Sequence, residues 1–171
     1  SYSYPATGDN DNAPSSGSTK LSVTKQNLSG SGYWLFGADM KTTDLSSLSS
    51  KGVTDLFLNY YAITLHGQSA VESWIASANK LGIRVHVWTQ IFYGDGGWVN
   101  PVKNGKIDST LFNKKITELK KYANIKGVSG ILLDYVRYPG TAYKTTGGTD
   151  AITEFVKQAT EAIHNIDASI I

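Results

Sequence analysis

From Tyr33 onward, apolar runs of strand length alternate with segments of helical period. That alternation confines the chain to βα units on a parallel sheet. Strands are expected over 33–39, 53–60, 83–91 and 129–136, with a fifth opening at Ser169-Ile-Ile171. A first helix, capped by Asp44, should end at Gly52. In the second, Ser69-Ala-Val-Glu72 reads as a capping box, Val71, Trp74, Ile75, Ala78 and Leu81 share one face, and Gly82 supplies the left-handed stop. Asp108 caps a third, with Phe112, Ile116, Leu119 and Ala123 inward and an end near Gly127. The fourth runs from about Thr149 with Ile152, Phe155, Val156, Ala159 and Ile163 inward.

Consecutive βα units leave two architectures open. One is the N-terminal portion of a (β/α)8 TIM-like barrel, a fold of about 250 residues when whole; the other is a five-stranded doubly wound parallel sheet. Two features favour the barrel. No strand is followed by a Gly-rich phosphate turn, the first being succeeded by Asp39-Met-Lys-Thr-Thr-Asp44. The third strand carries Arg84, His86, Trp88 and Gln90 on one face against Ile83, Val85 and Val87 on the other, so one side is polar and one is packed. Because a new strand opens just before Ile171, the expectation is a piece of a longer protein, whose partners are its own C-terminal half or a second copy. Residues 1–31, rich in Ser, Gly, Asn, Asp and Thr, read as a flexible linker or tail, and 32–171 as the βα-repeat domain.

Composition narrows the function class. The 171 residues are 40% hydrophobic and 11% aromatic, enough for a real core. A net charge of +2 with scattered Lys and Arg argues against nucleic acid. No apolar run approaches the ~20 residues of a membrane span. Without cysteine, thiolate chemistry is absent and a zinc cluster is not expected; the three His show no metal spacing, and no cofactor is expected. The cysteine-free composition and the Ser/Gly-rich start, without Met or leader, fit an extracellular or cell-surface protein.

Candidate chemistry gathers at strand ends, where parallel α/β folds open onto their ligands. Gly130-Ile-Leu-Leu-Asp-Tyr-Val-Arg-Tyr-Pro139 places Asp134, Tyr135, Arg137 and Tyr138 there. Asp134 can act as nucleophile, base or charge stabiliser, or can simply pair with Arg137. Arg137 can grip substrate oxygens or hold Asp134. Tyr135 and Tyr138 suit stacking on a sugar ring, or filling a barrel mouth. Asp39 after the first strand, Asn59 and Tyr60 after the second, and Trp88 and Gln90 on the third complete a plausible carbohydrate cleft. Each also has a plainer reading: Asp39 as a turn cap, Asn59 as a backbone partner, Trp88 as core. Asp95, in Tyr93-Gly-Asp-Gly-Gly-Trp98, reads as turn chemistry.

Over about 33–140, the block Asp134-Tyr-Val-Arg-Tyr-Pro139, preceded by Trp98-Val-Asn-Pro101 and a helix, resembles a family of glycoside hydrolases with TIM-barrel catalytic domains. The resemblance implies that Asp134 is an active-site carboxylate, lined by Tyr135 and Arg137. It also implies a general acid on a later strand. Glycoside hydrolysis takes two carboxyl groups, about 5.5 Å apart in retaining enzymes and about 6.5–9.5 Å in inverting ones. Here only Asp39 and Asp95 are placed to join Asp134, since Glu72, Glu118, Glu154 and Glu161 fall on helices. The chain alone is therefore expected to show little or no turnover.

Overall fold

The computed structural model describes residues 30–94 and 96–171. In chain order they form β1 (Ser31–Leu35), α1 (Leu45–Ser50), β2 (Val53–Asn59), α2 (Tyr61–His66), α3 (Gln68–Lys80), β3 (Arg84–Gln90), β4 (Tyr93–Gly94), β5 (Gly97–Trp98), β6 (Val102–Lys103), β7 (Lys106–Ile107), α4 (Ser109–Ala123), β8 (Gly130–Asp134) and α5 (Gly148–His164). β1, β2, β3 and β8 make one parallel sheet in that spatial order. The strands of β4–β5 and of β6–β7 pair as short antiparallel hairpins.

A sheet whose strands follow the order of the chain, joined by right-handed crossovers, carries its helices on one face. The packing shows this. Leu56, Leu58, Val85 and Val87 meet Val71, Ile75 and Ala78 of α3 in one cluster. Ile131 meets Phe112 and Leu119 of α4 and Phe155 and Ala159 of α5 in a second. A doubly wound sheet would have helices on both faces; this one is singly wound, as consecutive units of a barrel are. The expected fifth strand at 169–171 does not form: the sheet has four strands, and Ile171 only exchanges two backbone bonds beside β8, its N–H donating to Ser129 O at 3.2 Å and its carbonyl accepting from Ile131 N–H at 2.8 Å.

Caps set the boundaries. Asp44 Oδ1 accepts from Ser47 N at 2.9 Å, and Asp108 Oδ1 from Leu111 N at 3.1 Å. Gly52, Gly82 and Gly127 have φ of 81°, 76° and 83°, as left-handed stops require.

Several expectations need correction. The first strand ends at Leu35, and Gly37–Thr42 form a 3-10 helix instead. The capping box at Ser69 does not form, because α3 starts at Gln68 behind Gly67 and Glu72 accepts from Gln68 Nε2 and Lys126 N. Val156 is exposed, lying off the buried stripe of α5. Neither α2 nor the hairpins were expected, being too short to show a period. Of the 1–31 linker only residues 30 and 31 are described, and Ser31 already belongs to β1. Among the described residues no helix is long and apolar enough to cross a membrane.

Candidate functional site

Residues in register on neighbouring parallel strands point to the same side of the sheet. On the side away from the helices the rows are Gly32–Asp55–Arg84, Trp34–Phe57–His86–Gly130, Asn59–Trp88–Leu132 and Gln90–Asp134. The upper rows are aromatic. Trp34 meets Trp88 edge-on with ring centroids 4.9 Å apart and lies 5.1 Å from Phe57, and Phe36 stands 5.9 Å from Trp88. Trp34 and Phe36 remain 55% and 66% exposed, so this face is open to solvent.

Asp134 ends β8 at the edge of that aromatic face. Trp88 Nε1–H donates to its Oδ2 at 2.9 Å, and Tyr135 N–H donates to its Oδ1 at 2.7 Å. Both oxygens are thus held, one across the sheet and one by the adjoining backbone. Tyr135 has φ of 53°, a left-handed conformation that costs a non-glycine residue about 1 kcal/mol and that turns the chain sharply out of the sheet. Strain beside a fixed carboxylate is a recurrent feature of functional sites.

Past this turn the loop folds onto the β4–β5 hairpin. Tyr135 stacks on Tyr93 with centroids 4.7 Å apart, and Trp98 meets both edge-on at 5.3 Å. Arg137 does not pair with Asp134: its guanidinium carbon lies 4.2 Å over the Trp98 ring. The Tyr138 hydroxyl accepts from Asn100 Nδ2 at 3.1 Å. Trp98 and Asn100, both within the Trp-Val-Asn-Pro block, therefore bind the strand-end block directly.

At the opposite end of the strands Asp55 and His86 are buried. Arg84 donates to Asp55 through Nε and Nη2, each at 2.9 Å; Thr54 Oγ1 donates at 2.7 Å; and His86 Nε2 lies 2.7 Å from Oδ1. Burial raises the Asp55 pKa, but the bonds from Arg84, His86 and Thr54 and the charge of Arg84 outweigh it and hold the value at about 2. The carboxylate is fully engaged, which marks this cluster as structural. It borders a cavity of about 310 Å3 with Phe57, Leu132 and Ile171.

The other expected residues divide by location. Gln90 sits in register with Asp134, on the same side of the sheet. Asn59 Oδ1 accepts from Tyr61 N at 3.0 Å, and so starts α2. Tyr60 lines a cleft on the helix side. Asp39 lies exposed in the 3-10 helix, where its carbonyl accepts from Thr42 and Thr43 hydroxyls. Asp95 lies outside the described residues. Trp34 and Phe36, absent from the sequence-based site, join it because β1 pairs with β2 in this register. The alternation Asp55, Phe57, Asn59, repeating Arg84, His86, Trp88, was the signal that could have revealed the shared face. Among the described residues no group of three or more His, Cys, Asp or Glu side chains is placed to hold a metal ion.

No family model and no curated protein matches the chain. Among solved structures it is similar to the Pseudomonas stutzeri endoglucanase Cel5A, crystallised in complex with cellobiose, at 10% sequence identity and a TM-score of 0.48. The alignment covers 82% of this chain and 43% of the endoglucanase. The chain therefore spans less than half the length of that protein.

Proposed function

We propose that this chain forms part of the substrate face, and supplies one active-site carboxylate, of a glycoside hydrolase-like domain. The domain acts outside the cell on a wall or surface polysaccharide. The observation that carries the reading is Asp134, fixed through both oxygens beside the Trp34, Phe36 and Trp88 rings. Aromatic faces bind the apolar faces of sugar rings, and a carboxylate at their edge can attack the anomeric carbon or stabilise the charge that develops there. The resemblance of the Asp134–Pro139 block supports the same assignment. The second carboxyl group comes from polypeptide that covers the open face.

A specific observation favours a second reading, that of a non-catalytic glycan-binding module. Trp34, Phe36 and Trp88 form a contiguous ring face on which a sugar can stack, and both Asp134 oxygens already accept from Trp88 and the backbone, so the face can bind a glycan with Asp134 as a fixed polar partner.

Both readings are tested by measuring binding and reducing-end release on a panel of glucans, mannans, xylans and galactans. Hydrolysis that Asp134→Asn abolishes, with binding retained, is the expected result for the enzyme. Binding with no hydrolysis, in this chain and in any longer form containing it, would establish the binding module. Failure to bind any polysaccharide would overturn both.

A further inference from the structure

On the helix-covered side of the sheet, a cleft of about 530 Å3 opens between α2 and α4 over the end of β3. Thr89 faces it from the side of β3 opposite Asp134, while Gln90, in register with Asp134, and Tyr93, stacked on Tyr135, line it where it borders the Asp134 face. Lys114, Lys115, Glu118, Lys121 and Tyr122 line it from one face of α4, at spacings that bring them together on a helix. Lys115 is half-buried: its ammonium donates to Gln90 O at 3.3 Å and to Glu118 Oε2 at 3.1 Å. An ammonium has three N–H donors, so one is left over. Lys114 and Lys121 form no salt bridge among the described residues. The charged lining is therefore three ammonium groups against one carboxylate.

The rest of the lining mixes hydroxyl groups with the aliphatic side chains of Ile63, Val99 and Leu111. Tyr60 and Tyr122 face each other with centroids 6.2 Å apart, and Thr64 and Thr89 add two alcohols. Burial and the Glu118 charge push the Tyr122 phenol up to about 12, so it stays protonated and can both donate and accept. Such groups match the hydroxyls of a polyol, and ammonium groups match a carboxylate. A volume within the usual 300–1,000 Å3 of ligand sites has room for a single sugar ring.

We propose that this cleft is a second binding site, taking a monosaccharide-sized sugar acid: a polyhydroxylated ring bearing one carboxylate. A neutral sugar would leave the ammonium groups unused, and a simple carboxylate would leave the hydroxyls unused.

The test is two-dimensional NMR titration of the protein with glucuronate, glucose and acetate at low and physiological ionic strength. Glucuronate should shift the resonances of Thr64, Thr89, Lys115 and Tyr122 saturably, with a Kd on the order of 1 mM that weakens with salt. Glucose and acetate should bind at least about tenfold more weakly. Lys114→Gln with Lys121→Gln, both exposed and so harmless to the fold, should loosen glucuronate roughly fivefold, the modest effect of removing two exposed charges. Asp134→Asn should leave this binding unchanged, which separates the cleft from the polysaccharide face. Acetate binding as tightly as glucuronate, shifts confined to the Asp134 face, or no saturation would each overturn the proposal.

Discussion

Two carboxylates on the same side of the sheet differ in what surrounds them, and the difference predicts what each does. Asp55 accepts from three side chains on neighbouring positions and its pKa falls from 3.8 to about 2. A depressed carboxyl contributes stability that is present above its unfolded pKa and is lost as pH falls through the folded value. Asp55 thus supplies about 2 kcal/mol at neutral pH, disappearing between about pH 4 and pH 2. Urea unfolding of Asp55→Asn at pH 7 should show that loss, and the gap to the parent should close in acid. A gap independent of pH would refute the assignment. Asp134 instead takes one bond from Trp88 and one from the backbone. Trp88→Phe keeps a ring against Trp34 but removes the N–H that orients Oδ2. It should lower kcat about 100-fold, the effect of slight misplacement, while costing no more than about 1.5 kcal/mol of stability. An unchanged kcat in a protein with measurable turnover would show that Trp88 does not position Asp134. The sequence made Asp134 visible by its place after an apolar run; it hid the Trp88 bond, because residues 46 apart meet only through the register of β3 with β8.

At the level of elements, helices α3, α4 and α5 were legible because each spans three or more turns with a clear apolar stripe. Asp44 and Asp108 were legible as caps because a cap is a local interaction. What could not be read were features decided by contacts across the sheet. Tyr135 ends β8 by a left-handed turn that no local rule assigns to tyrosine, stabilised by stacking on Tyr93, which lies in a separate hairpin. Gly130 has an equally distant reason. A Cβ there would fall on the His86 imidazole and come within 2.6 Å of Ile171 O, so the strand can start at this point only with glycine. Gly130→Ala should therefore destabilise the protein by about 1–3 kcal/mol, the range for overpacking. It should also speed amide exchange at Ile131, whose N–H donates to Ile171 O. Slow exchange at Ile131 in a destabilised variant would place the strain at His86 alone.

For the whole molecule, the winding of the sheet follows from one strand. A strand buried on both faces reads as a continuous apolar run. β3 instead alternates Arg84, His86, Trp88 and Gln90 with Val85, Val87 and Thr89, and so could not lie in a sheet covered by helices on both sides. The consequence is a sheet face whose apolar groups pack mainly on one another: Trp34 on Phe57 and Trp88, and Phe36 beside Trp88. Exposed apolar patches of this kind bind ligands or other protein surfaces. Since Trp34 and Phe36 are more than half exposed, replacing both with Ser should cost the fold only about 1 kcal/mol. The same change should suppress whatever the face binds. Sedimentation velocity and apolar-dye binding of the 171-residue protein are expected to report concentration-dependent association and strong dye uptake, both reduced in the Trp34→Ser, Phe36→Ser variant. A parent that stays monomeric and leaves the dye free would mean that the rings satisfy one another. Association equally strong in parent and variant would move the sticky surface elsewhere, to the edge of β1 or of β8 that no strand pairs among the described residues.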